Sequence, residues 1–294
     1  MRFALVDACR IEYAHPVTAM CRTLEVSTAG YYAWRRRAPC ARARTDEKLL
    51  EAIRRIHLDS RRTYGSPRVH AELVAEGWRV GVNRVSRLMR QSGIRVRPVK
   101  AFCRTTRSDP AHAVAPNVLG RDFVAEAANE KWVGDVTFVP TGEGWLYLAT
   151  LIDLHNREVI GWAMGEHNDQ RLTARALTMA LESRTPAPGL IHHSDRGSSY
   201  TAGDYRDMLA EHGVVCSMSR RGDCWDNSVA ESFFATLEKE LLHWERFATR
   251  AEAAAAIFEY VEVFYNRRRR HSVLGYLSPV DYRVNTAALA TSAE

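Results

Sequence analysis

Three acidic residues lie at positions where a carboxylate has two possible uses: it can bind a cation, or it can simply face solvent. Asp135 is in the middle of "KWVGDVTFVP", and Asp195 ends the short run "LIHHSD". Glu231 lies in "SVAESFFATLEKELL", which has the apolar spacing of an amphipathic helix. Carboxylates are the protein ligands that Mg²⁺ prefers. The three acids could therefore bind a divalent cation, provided that the fold brings them together.

Asp135 is predicted to lie in a central, covered strand. Alternation places Trp132, Val136 and Phe138 on one face and Val133 and Val139 on the other, together with Asp135. Apolar residues on both faces are typical of a strand that is covered on both sides. A buried carboxylate without a partner costs several kcal/mol, so this one should meet a cation or strong donors. A purely structural aspartate paired with an arginine is the alternative.

The other two acids each have an ordinary interpretation as well. Asp195 lies where a strand ends and a loop begins, which is where α/β folds place their sites, but turns and helix N-caps also use aspartate. Glu231 lies about 90° from the middle of an apolar stripe. The stripe consists of Ala230, Phe233, Phe234, Leu237, Leu241 and Trp244. Glu231 is therefore either a solvated helix residue or a carboxylate at the rim of a site.

The interval between Asp195 and Glu231 does not identify the pair. Five Asp–Glu pairs in the chain share the same spacing: Asp122–Glu158, Asp195–Glu231, Asp204–Glu240, Asp223–Glu259 and Asp226–Glu262. What distinguishes the second pair is its context, because one member ends a strand, the other lies on a helix shoulder, and a third acid lies in a central strand.

The second half of the chain has the element order of a mixed sheet flanked by helices. The runs "KWVGDVTFVP", "GWLYLATLIDL" and "REVIGWAMG" predict three strands of a meander. A helix over about 170–183, a strand in "GLIHHSD", a helix over 201–212 and a strand in "VVCSMS" follow. The helix that holds Glu231 and another over about 250–266 complete the order. This order predicts a ribonuclease H-like α/β core with a mixed five-stranded sheet.

The first half has helical patterns and no strand pattern. In "HPVTAMCRTLEVSTAGYYAWRRR" a helix from about Val17, a turn near 25–27 and a second helix capped by Ser27 or Thr28 fit a helix-turn-helix or a plain helical hairpin equally well. A longer helix over about 45–58 follows, and "SPRVHAELVAEGWRVGVNRVSRLMRQSGIRVRP" predicts a second candidate pair that ends with a helix over 83–91. We expect an all-α N-terminal region of helix-turn-helix type.

The charge is distributed unevenly along the chain. Residues 1–125 contain 24 Lys/Arg and 11 Asp/Glu, a net +13, whereas residues 126–294 contain 17 and 24, a net −7, and the two sum to +6. A basic half favours binding to a polyanion, most simply nucleic acid, and a merely solvated basic surface is the alternative.

Composition limits the other function classes. The chain has 294 residues, 46% of them hydrophobic and 26% charged, and no uncharged apolar run that approaches 18 residues. We therefore expect neither a membrane span nor, because charge precedes any apolar run in "MRFALVDACRIEY", a secretory signal. The six cysteines form no CxxC pair, which argues against structural zinc and disulfides and favours a reducing cytoplasm.

Four segments resemble one family of DNA-rearranging enzymes. They are "WVGDVTFVPT", "IHHSDRGSSYTA", "SMSRRGDCWDNSVAESFFATLEKEL" and "YNRRRRHSVLGYLSPVDY". In this order they resemble the integrase core of insertion-sequence transposases with a DDE triad, which is also similar to retroviral integrases. The chain is most similar to the second-reading-frame (OrfB) subunit of insertion-sequence family three, and "YGSPRVHAEL" and "VTAMCRTLEVSTAGYYAWRRR" resemble its helical N-terminal part.

The resemblance implies a polynucleotidyl transferase with Asp135, Asp195 and Glu231 as catalytic and metal-binding residues. It implies two Mg²⁺ ions, with Mn²⁺ able to substitute, that assist cleavage at the element ends and strand transfer by the freed 3′-OH into target DNA. A ribonuclease H-type nuclease without joining activity and a catalytically impaired DNA-binding copy are the alternatives.

The implied partners and location follow from the same resemblance. The partners would be double-stranded DNA, as terminal inverted repeats and as target, and a second copy of the chain on that DNA. A first-reading-frame (OrfA) protein, separate or joined as a frameshift fusion, is a further expected partner. The expected location is the bacterial cytoplasm, at the nucleoid.

We assign four regions: residues 1–97 as the helical DNA-binding region, 98–126 as a linker with Pro98, Pro110 and Pro116, 127–266 as the catalytic core and 267–294 as a basic C-terminal extension. Basic and amide side chains in these regions are the expected DNA contacts: Arg35, Arg36, Arg37, Arg68, Arg84, Arg87, Asn227, Arg267, Arg268, Arg269, Arg270 and His271.

Two positions near the acids are harder to assign. His192 and His193 precede Asp195 and could touch a metal, but packing or hydrogen bonding is the more common use of a histidine near a strand end. Glu238 stands seven residues after Glu231, where similar proteins commonly carry Lys or Arg facing DNA. Lys239 is next to it, but one helical position is a rotation of about 100°, so it cannot simply replace a cation at 238.

Overall fold

The N-terminal region is helical, as predicted. The computed structural model describes residues 2–38, 40–97, 115–220 and 224–291. Within the first 97 residues the described chain forms six α-helices and no strand: α1 Arg2–Tyr13, α2 Val17–Thr23, α3 Thr28–Arg36, α4 Ala41–Asp59, α5 Ser66–Ala75 and α6 Val82–Gln91. The sequence did not predict α1, and α4 begins four residues earlier than expected.

The first three helices form a small unit around Val6, Cys21 and Tyr31. The predicted turn between α2 and α3 is present, and the hydroxyl oxygen of Ser27 caps α3 by accepting the Gly30 N–H at 2.9 Å. The Tyr31 hydroxyl donates to Asp7 at 2.6 Å, which fastens α3 to α1. The unit is therefore a three-helix arrangement that contains the predicted helix pair.

The next three helices pack on the rest of the molecule. Asp46 on α4 accepts from Arg84 and Arg87 on α6, both at 2.7 Å, and α5 and α6 are joined by a short turn in which Gly77 has a φ of 87°. The apolar side chains of α4–α6, such as Ile53 and Leu73, belong to the same buried cluster as side chains of the second half of the chain. The two halves of the chain therefore share one core.

The second half of the chain contains the predicted mixed five-stranded sheet. Its strands are β1 Lys131–Thr141, β2 Gly144–Asp153, β3 Val159–Gly165, β4 Ile191–Ser194 and β5 Val215–Met218. The spatial order is β3-β2-β1-β4-β5. The β1–β2 and β2–β3 pairs are antiparallel, and the β1–β4 and β4–β5 pairs are parallel. Strand β1 is the central strand, as the sequence predicted.

Both faces of β1 are covered. Trp132 belongs to one apolar cluster, with residues from the helices α7 (Gln170–Arg184) and α9 (Gly203–Glu211). Val133 and Val139 belong to another, with residues from the helices α10 (Ser228–Leu237) and α11 (Arg250–Phe258). Gly161 on β3 permits close packing, because a Cβ there would lie 2.3 Å from the Ala176 carbonyl oxygen of α7. The predicted alternation of Asp135's strand is therefore confirmed.

Helices flank the sheet on both sides. They are α7 Gln170–Arg184, α8 Ser198–Thr201, α9 Gly203–Glu211, α10 Ser228–Leu237, α11 Arg250–Phe258 and α12 Pro279–Thr291. Short 3₁₀ segments at Cys224–Asn227 and Ser272–Leu274 and π-helical segments at Glu238–Leu242 and Glu259–Tyr265 adjoin them. No helix in the described ranges is both long and apolar enough to cross a membrane.

Two helices in this half were not predicted. The helix expected over 201–212 is present as α9, but the short α8 precedes it and is separated from it by the extended backbone of Ala202. The C-terminal extension contains an unpredicted helix, α12, which packs back on the core: the Val280 N–H donates to the Asn266 carbonyl at 3.0 Å, and Arg283 donates to Glu158 at 2.9 Å.

The described end of the predicted linker is part of the core. Residues 98–114 lie outside the described residues, so the structure describes only its last part. There Leu119 is buried, and the backbone N–H groups of Val118 and Leu119 both donate to the Ser217 hydroxyl oxygen, at 2.9 and 3.0 Å. The segment from Pro116 to Leu119 therefore packs against β5, where the Met218 N–H donates to the Pro116 carbonyl at 3.3 Å.

A buried ion pair joins three parts of the chain. Glu240 lies in the π-helical segment that continues α10 and accepts from Arg269 through both oxygens, each at 2.8 Å, and from the Tyr260 hydroxyl at 2.9 Å. Arg68 of α5 approaches the same carboxylate to 3.5 Å. This cluster connects the helix of Glu231, the C-terminal arginine run and the N-terminal helices.

We predict that Glu240→Ala lowers the free energy of unfolding by about 3–5 kcal/mol, because it leaves the buried Arg269 guanidinium without its partner. Glu166 is the matched control, since it pairs with Arg250 but is 62% exposed. Glu166→Ala should change stability by about 0.5 kcal/mol or less. Urea titration followed by circular dichroism measures both, and equal effects of the two substitutions would contradict the assignment.

Candidate active site

Asp135 and Asp195 each lie two residues beyond the last paired residues of two parallel strands. In the β1–β4 pair, Lys131 is opposite Ile191, Trp132 opposite His192, and Val133 opposite His193. Asp135 continues in β1, whereas Asp195 is the first residue after β4. Because side chains alternate, Asp135 lies on the face of Val133, and neighbouring strands are only about 4.8 Å apart. The register thus places two acids at the carboxyl end of β4.

Asp135 is buried in the centre of the sheet, with 4% of its surface exposed. Its Oδ1 accepts the Val136 N–H at 2.8 Å. Directly opposite on β2 is Thr150, whose buried hydroxyl has no hydrogen-bond partner among the residues that the structure describes. The carboxylate therefore lies in a confined polar position between apolar layers.

Asp195 is half-buried in the loop after β4. Its Oδ1 accepts the Gly197 N–H at 2.9 Å, which sets the turn before α8. The turn role considered in the sequence analysis is therefore present in the structure. Because a carboxylate has two oxygens and several lone pairs, this bond leaves capacity to bind a cation as well.

Glu231 lies in the first turn of α10, on the shoulder predicted from the sequence. Its neighbours Ala230, Phe233, Phe234 and Leu237 are buried in the cluster that covers the Asp135 face of β1, while Glu231 itself is half-buried. One turn earlier, the Asn227 amide donates to the Gly134 carbonyl at 3.2 Å. The start of α10 is therefore held at the residue that precedes Asp135.

The donor set suits a hydrated Mg²⁺ ion rather than a closed protein cage. Within the described ranges, no three His, Cys, Asp or Glu side chains are close enough to hold a metal ion by themselves. Mg²⁺ commonly keeps several waters and takes one or two carboxylates together with substrate phosphates. Asp135, Asp195 and Glu231 offer carboxylate oxygens only, which are the donors that Mg²⁺ prefers.

His192 and His193 belong to the interior. Burial lowers the pKa of His192 to about 3 and that of His193 to about 4, so both are neutral near pH 7. His192 hydrogen-bonds the Tyr205 hydroxyl at 2.8 Å on the opposite side of the sheet from Asp135. The packing interpretation of the sequence analysis is the one that the structure supports for both.

His193 links β4 to β5 through two serines. The Ser217 hydroxyl accepts two backbone N–H groups, so its own proton goes to Nδ1 of His193 at 2.8 Å. Nε2 then donates to the Ser219 hydroxyl at 3.1 Å, which donates in turn to the Ser194 carbonyl. The chain of bonds needs a neutral imidazole and fixes the end of β4, immediately before Asp195.

Asp226 is a functional candidate that the sequence analysis missed. It is fully buried just ahead of α10 and accepts from the Arg220 side chain and backbone, Arg121 and Asn117, all at 2.7–3.0 Å. The hydrogen bonds from Arg220 lower the pKa of Asp226 well below its ordinary value. Only its burial distinguishes it from a surface acid, and no local sequence pattern shows that.

The predicted N-terminal DNA contacts differ in their surroundings. Arg36 and Arg37 are exposed at the end of α3, and Arg35 lies 3.7 Å from Asp7. Arg68, Arg84 and Arg87 are partly buried by their ion pairs with Glu240 and Asp46. Among these six, Arg36 and Arg37 have the most accessible surroundings for phosphate contact.

The arginine run near the C-terminus is divided between surface and core. Arg267 and Arg268 are exposed, and Arg270 pairs with Glu72 of α5. Arg269 and His271 are buried, at 5% and 8% exposure, and Arg269 is bonded to Glu240. This placement corrects the prediction that Arg269 and His271 contact DNA, because their polar atoms are enclosed within the protein.

Glu238 lies where α10 changes to the π-helical segment. It is half-buried, and burial raises the pKa of its carboxyl group. Lys239 beside it is exposed and lines a cavity of about 290 Å³ with Arg97. Nothing in the structure explains why a glutamate stands at position 238.

Three regions of the chain match models of known protein families. Residues 125–224 and residues 231–286 each match an integrase core domain, and residues 44–102 match an HTH-like domain. The HTH-like match covers α4–α6, which supports the predicted second helix pair.

Curated relatives match over almost the whole chain. The "Insertion element IS600 uncharacterized 31 kDa protein" of Shigella sonnei is 46% identical over 90% of this chain and 97% of that protein. The "Transposase InsF for insertion sequence IS3A" of Escherichia coli (strain K12) is 38% identical over 96% of this chain and 98% of that protein.

Solved integrase structures show a weaker likeness. The catalytic core domain of BIV integrase has a TM-score of 0.42 and 15% identity, and covers 55% of this chain and 99% of that chain. The HTLV-2 integrase catalytic core domain in complex with magnesium (trimeric form) has a TM-score of 0.42 and 14% identity, and covers 54% of this chain and 99% of that chain. At these TM-scores the structural likeness carries no argument, so the fold rests on the strand order and the family on the sequence relatives.

The buried histidines predict a pH dependence of stability. Their pKa values are near 3 and 4 in the folded chain and near the ordinary 6.5 in the unfolded chain. The unfolded chain therefore binds more protons between those values, and stability falls as the pH decreases through that window. Lowering the pH from 6.5 to 5 should reduce the free energy of unfolding by about 1–2 kcal/mol for each histidine, and urea titration at the two pH values measures this reduction.

His193→Gln should lower this pH slope by about one proton, whereas the same substitution at the exposed His15 should leave it unchanged. A free energy of unfolding that stays constant from pH 6.5 to 5 would contradict the neutral, buried assignment.

Proposed function

Because the chain belongs to the transposases of IS3-type insertion sequences, we propose that Asp135, Asp195 and Glu231 are its catalytic triad. The observation that supports this proposal most is the β1–β4 register, which ends at Val133 and His193, each two residues before one of the aspartates. The hydrogen bond between Asn227 and Gly134 joins the start of the Glu231 helix to the residue before Asp135, which also supports it. In the proposed site each acid would come from a different element around one strand end.

The three carboxylates would hold two Mg²⁺ ions, with Mn²⁺ able to substitute. Bound divalent ions supply charge stabilisation for the attacking and leaving oxygens of an in-line displacement at phosphorus. The protein's part is to fix the carboxylates: Asp135 by burial in a central strand, Asp195 by its turn, and Glu231 by the packing of α10. Fixed carboxylates need no rearrangement when charge develops.

The proposed reaction has two displacements at phosphorus. In the first, a water oxygen bonds to phosphorus at the element end, and the bond from phosphorus to the 3′-oxygen breaks. That oxygen takes a proton and becomes a free 3′-OH. In the second, this 3′-OH bonds to a phosphorus of the target, displaces the target's own 3′-oxygen and loses its proton. No covalent protein intermediate is needed, so Ser194, Ser198 and Tyr200 require no nucleophilic role.

The N-terminal helices would bind the element ends. The HTH-like match over residues 44–102 and the excess of 13 positive charges in residues 1–125 support this assignment. Terminal inverted repeats and target DNA are the proposed partners, together with a second copy of the chain and a first-reading-frame (OrfA) protein or fusion. A protein with these partners works at the nucleoid in the bacterial cytoplasm.

Substitution of any triad residue by its amide should abolish both displacements. We expect Asp135→Asn, Asp195→Asn and Glu231→Gln each to lower end cleavage by at least about 100-fold, because preorganised charge stabilisation is lost. Asp207→Asn, on the exposed side of α9, should react like the wild type. The assay uses a labelled end oligonucleotide, a target plasmid and Mg²⁺, with products separated by gel electrophoresis.

The products of the wild type distinguish the alternatives. Cleavage followed by joining to the plasmid is the expected result. Cleavage without joining would indicate a nuclease, binding without cleavage would indicate an impaired copy, and unchanged cleavage by Asp135→Asn would contradict the triad assignment.

The double substitution of Arg36 and Arg37 by Ala should weaken DNA-end binding. Each phosphate contact that is lost should reduce the slope of log K against log salt by about 1. Arg171→Ala, an exposed arginine of α7, is the control. Fluorescence anisotropy with an end duplex measures the affinities, and an unchanged salt slope in the double variant would remove Arg36 and Arg37 from the interface.

A further inference from the structure

The side chain of Asn227 links two elements of the proposed site. It is 4% exposed and occupies the N-cap position of α10, four residues before Glu231. Its amide nitrogen donates to the carbonyl of Gly134, the residue before Asp135, at 3.2 Å. One hydrogen bond therefore joins the neighbours of two proposed catalytic residues.

The position of the Gly134 carbonyl is fixed independently. The β1–β4 ladder extends to Val133 and His193, and Gly134 is the next residue along β1. On its other side Gly134 packs against His192, since a Cβ at this glycine would lie 2.8 Å from Cε1 of the imidazole. Asn227 thus bonds to a rigid point of the sheet, at the place where β4 gives way to the Asp195 loop.

Asn227 does not cap its helix. Asparagine is among the preferred N-cap residues because its side-chain oxygen accepts a backbone N–H of the first turn. Here the side chain makes no such bond, and the oxygen is buried without a hydrogen-bond partner in the described part of the chain. The Asn227 side chain does not cap α10 but bonds to β1 instead. It therefore contributes to the relative position of the helix and the strand rather than to the stability of the helix.

We infer that Asn227 is a positioning residue for the proposed reaction: it sets the separation of Glu231 from Asp135 and thereby the affinity of the site for a divalent ion. The inference rests on the proposed function. Residues that orient metal ligands without touching the metal typically change metal affinity by 10–100-fold when they are replaced. This role replaces the direct DNA contact that the sequence suggested, because the side chain is enclosed.

The most informative variant is Asn227→Ser. Serine is an equally good N-cap, so α10 keeps its start, but its side chain is too short to reach Gly134. We expect Mn²⁺ binding, measured by electron paramagnetic resonance on the full chain without DNA, to weaken by 10–100-fold. Cleavage of an end oligonucleotide should recover at raised Mn²⁺, and affinity for the end duplex should stay within twofold of the wild type.

Asn266 provides a matched control. It is also 4% exposed, and its amide donates to a strand carbonyl, that of Val159, at 2.9 Å, but it lies on the β3 side of the sheet. Asn266→Ser should lower the urea midpoint yet leave Mn²⁺ affinity unchanged. Asn227→Leu, which keeps the branched shape of the side chain but removes the donor, is the second variant and keeps the test decisive if the serine variant fails to fold.

Three outcomes would overturn the inference. They are Mn²⁺ affinity within twofold of the wild type in both Asn227 variants, an equal loss of affinity in Asn266→Ser, and a loss of end-duplex affinity with normal Mn²⁺ binding, which would make Asn227 a DNA contact. If the proposed triad itself is wrong, the result is different, because Asp135→Asn would then bind Mn²⁺ with the same affinity as the wild type.

Discussion

The parallel pairing of β1 with β4 is the constraint on which the proposed site depends. The order β3-β2-β1-β4-β5 puts β1 in the centre, so its register is set by ladders on both sides. A shift of one residue would move Asp135 to the opposite face, away from Asp195 and from α10. The apolar stripe of α10 packs on the same face, because Phe233 and Leu237 share a cluster with Val133 and Val139. One register therefore fixes the face on which Asp135 lies, and α10, which carries Glu231, packs on that same face.

Buried charges and buried neutral groups have complementary roles around this centre. Glu240 and Asp226 are each enclosed in the interior by arginines, and each connects segments that are distant in the sequence. A buried pair of this kind contributes little net stability, but it is costly to break, so it specifies how the segments dock. His193, by contrast, is held neutral and serves as a hydrogen-bond relay between β4 and β5.

The docking of the N-terminal helices follows the same rule. Tyr64 of the segment before α5 accepts the Arg270 N–H at 2.7 Å and donates to the Arg268 carbonyl at 3.3 Å. Together with Arg68 on Glu240, these contacts place the HTH-like helices against the continuation of the Glu231 helix. The proposed end-binding region and the proposed catalytic helix are thus in direct contact.

The sequence predicted those features that depend on local periodicity. The strand of Asp135, the cap at Ser27 and the shoulder position of Glu231 follow from alternation, capping chemistry and the helical repeat. The sequence could not predict that Arg269 is buried while Arg268 is exposed, because only the tertiary packing of Glu240 separates them. Asp226 was missed for the same reason, and Ala202 carries no local signal for the break between α8 and α9.

The most direct test is whether Asp135 and Asp195 share a bound divalent ion. Electron paramagnetic resonance titration of Mn²⁺ can be carried out on the wild type, Asp135→Asn, Asp195→Asn and the double variant. If the register places both carboxylates on one ion, each single variant will lose at least about tenfold in affinity, and the double variant will lose much less than the product of the two, because residues that act on one ligand are not additive. Losses that multiply, or a single variant that binds Mn²⁺ like the wild type, would contradict a shared site.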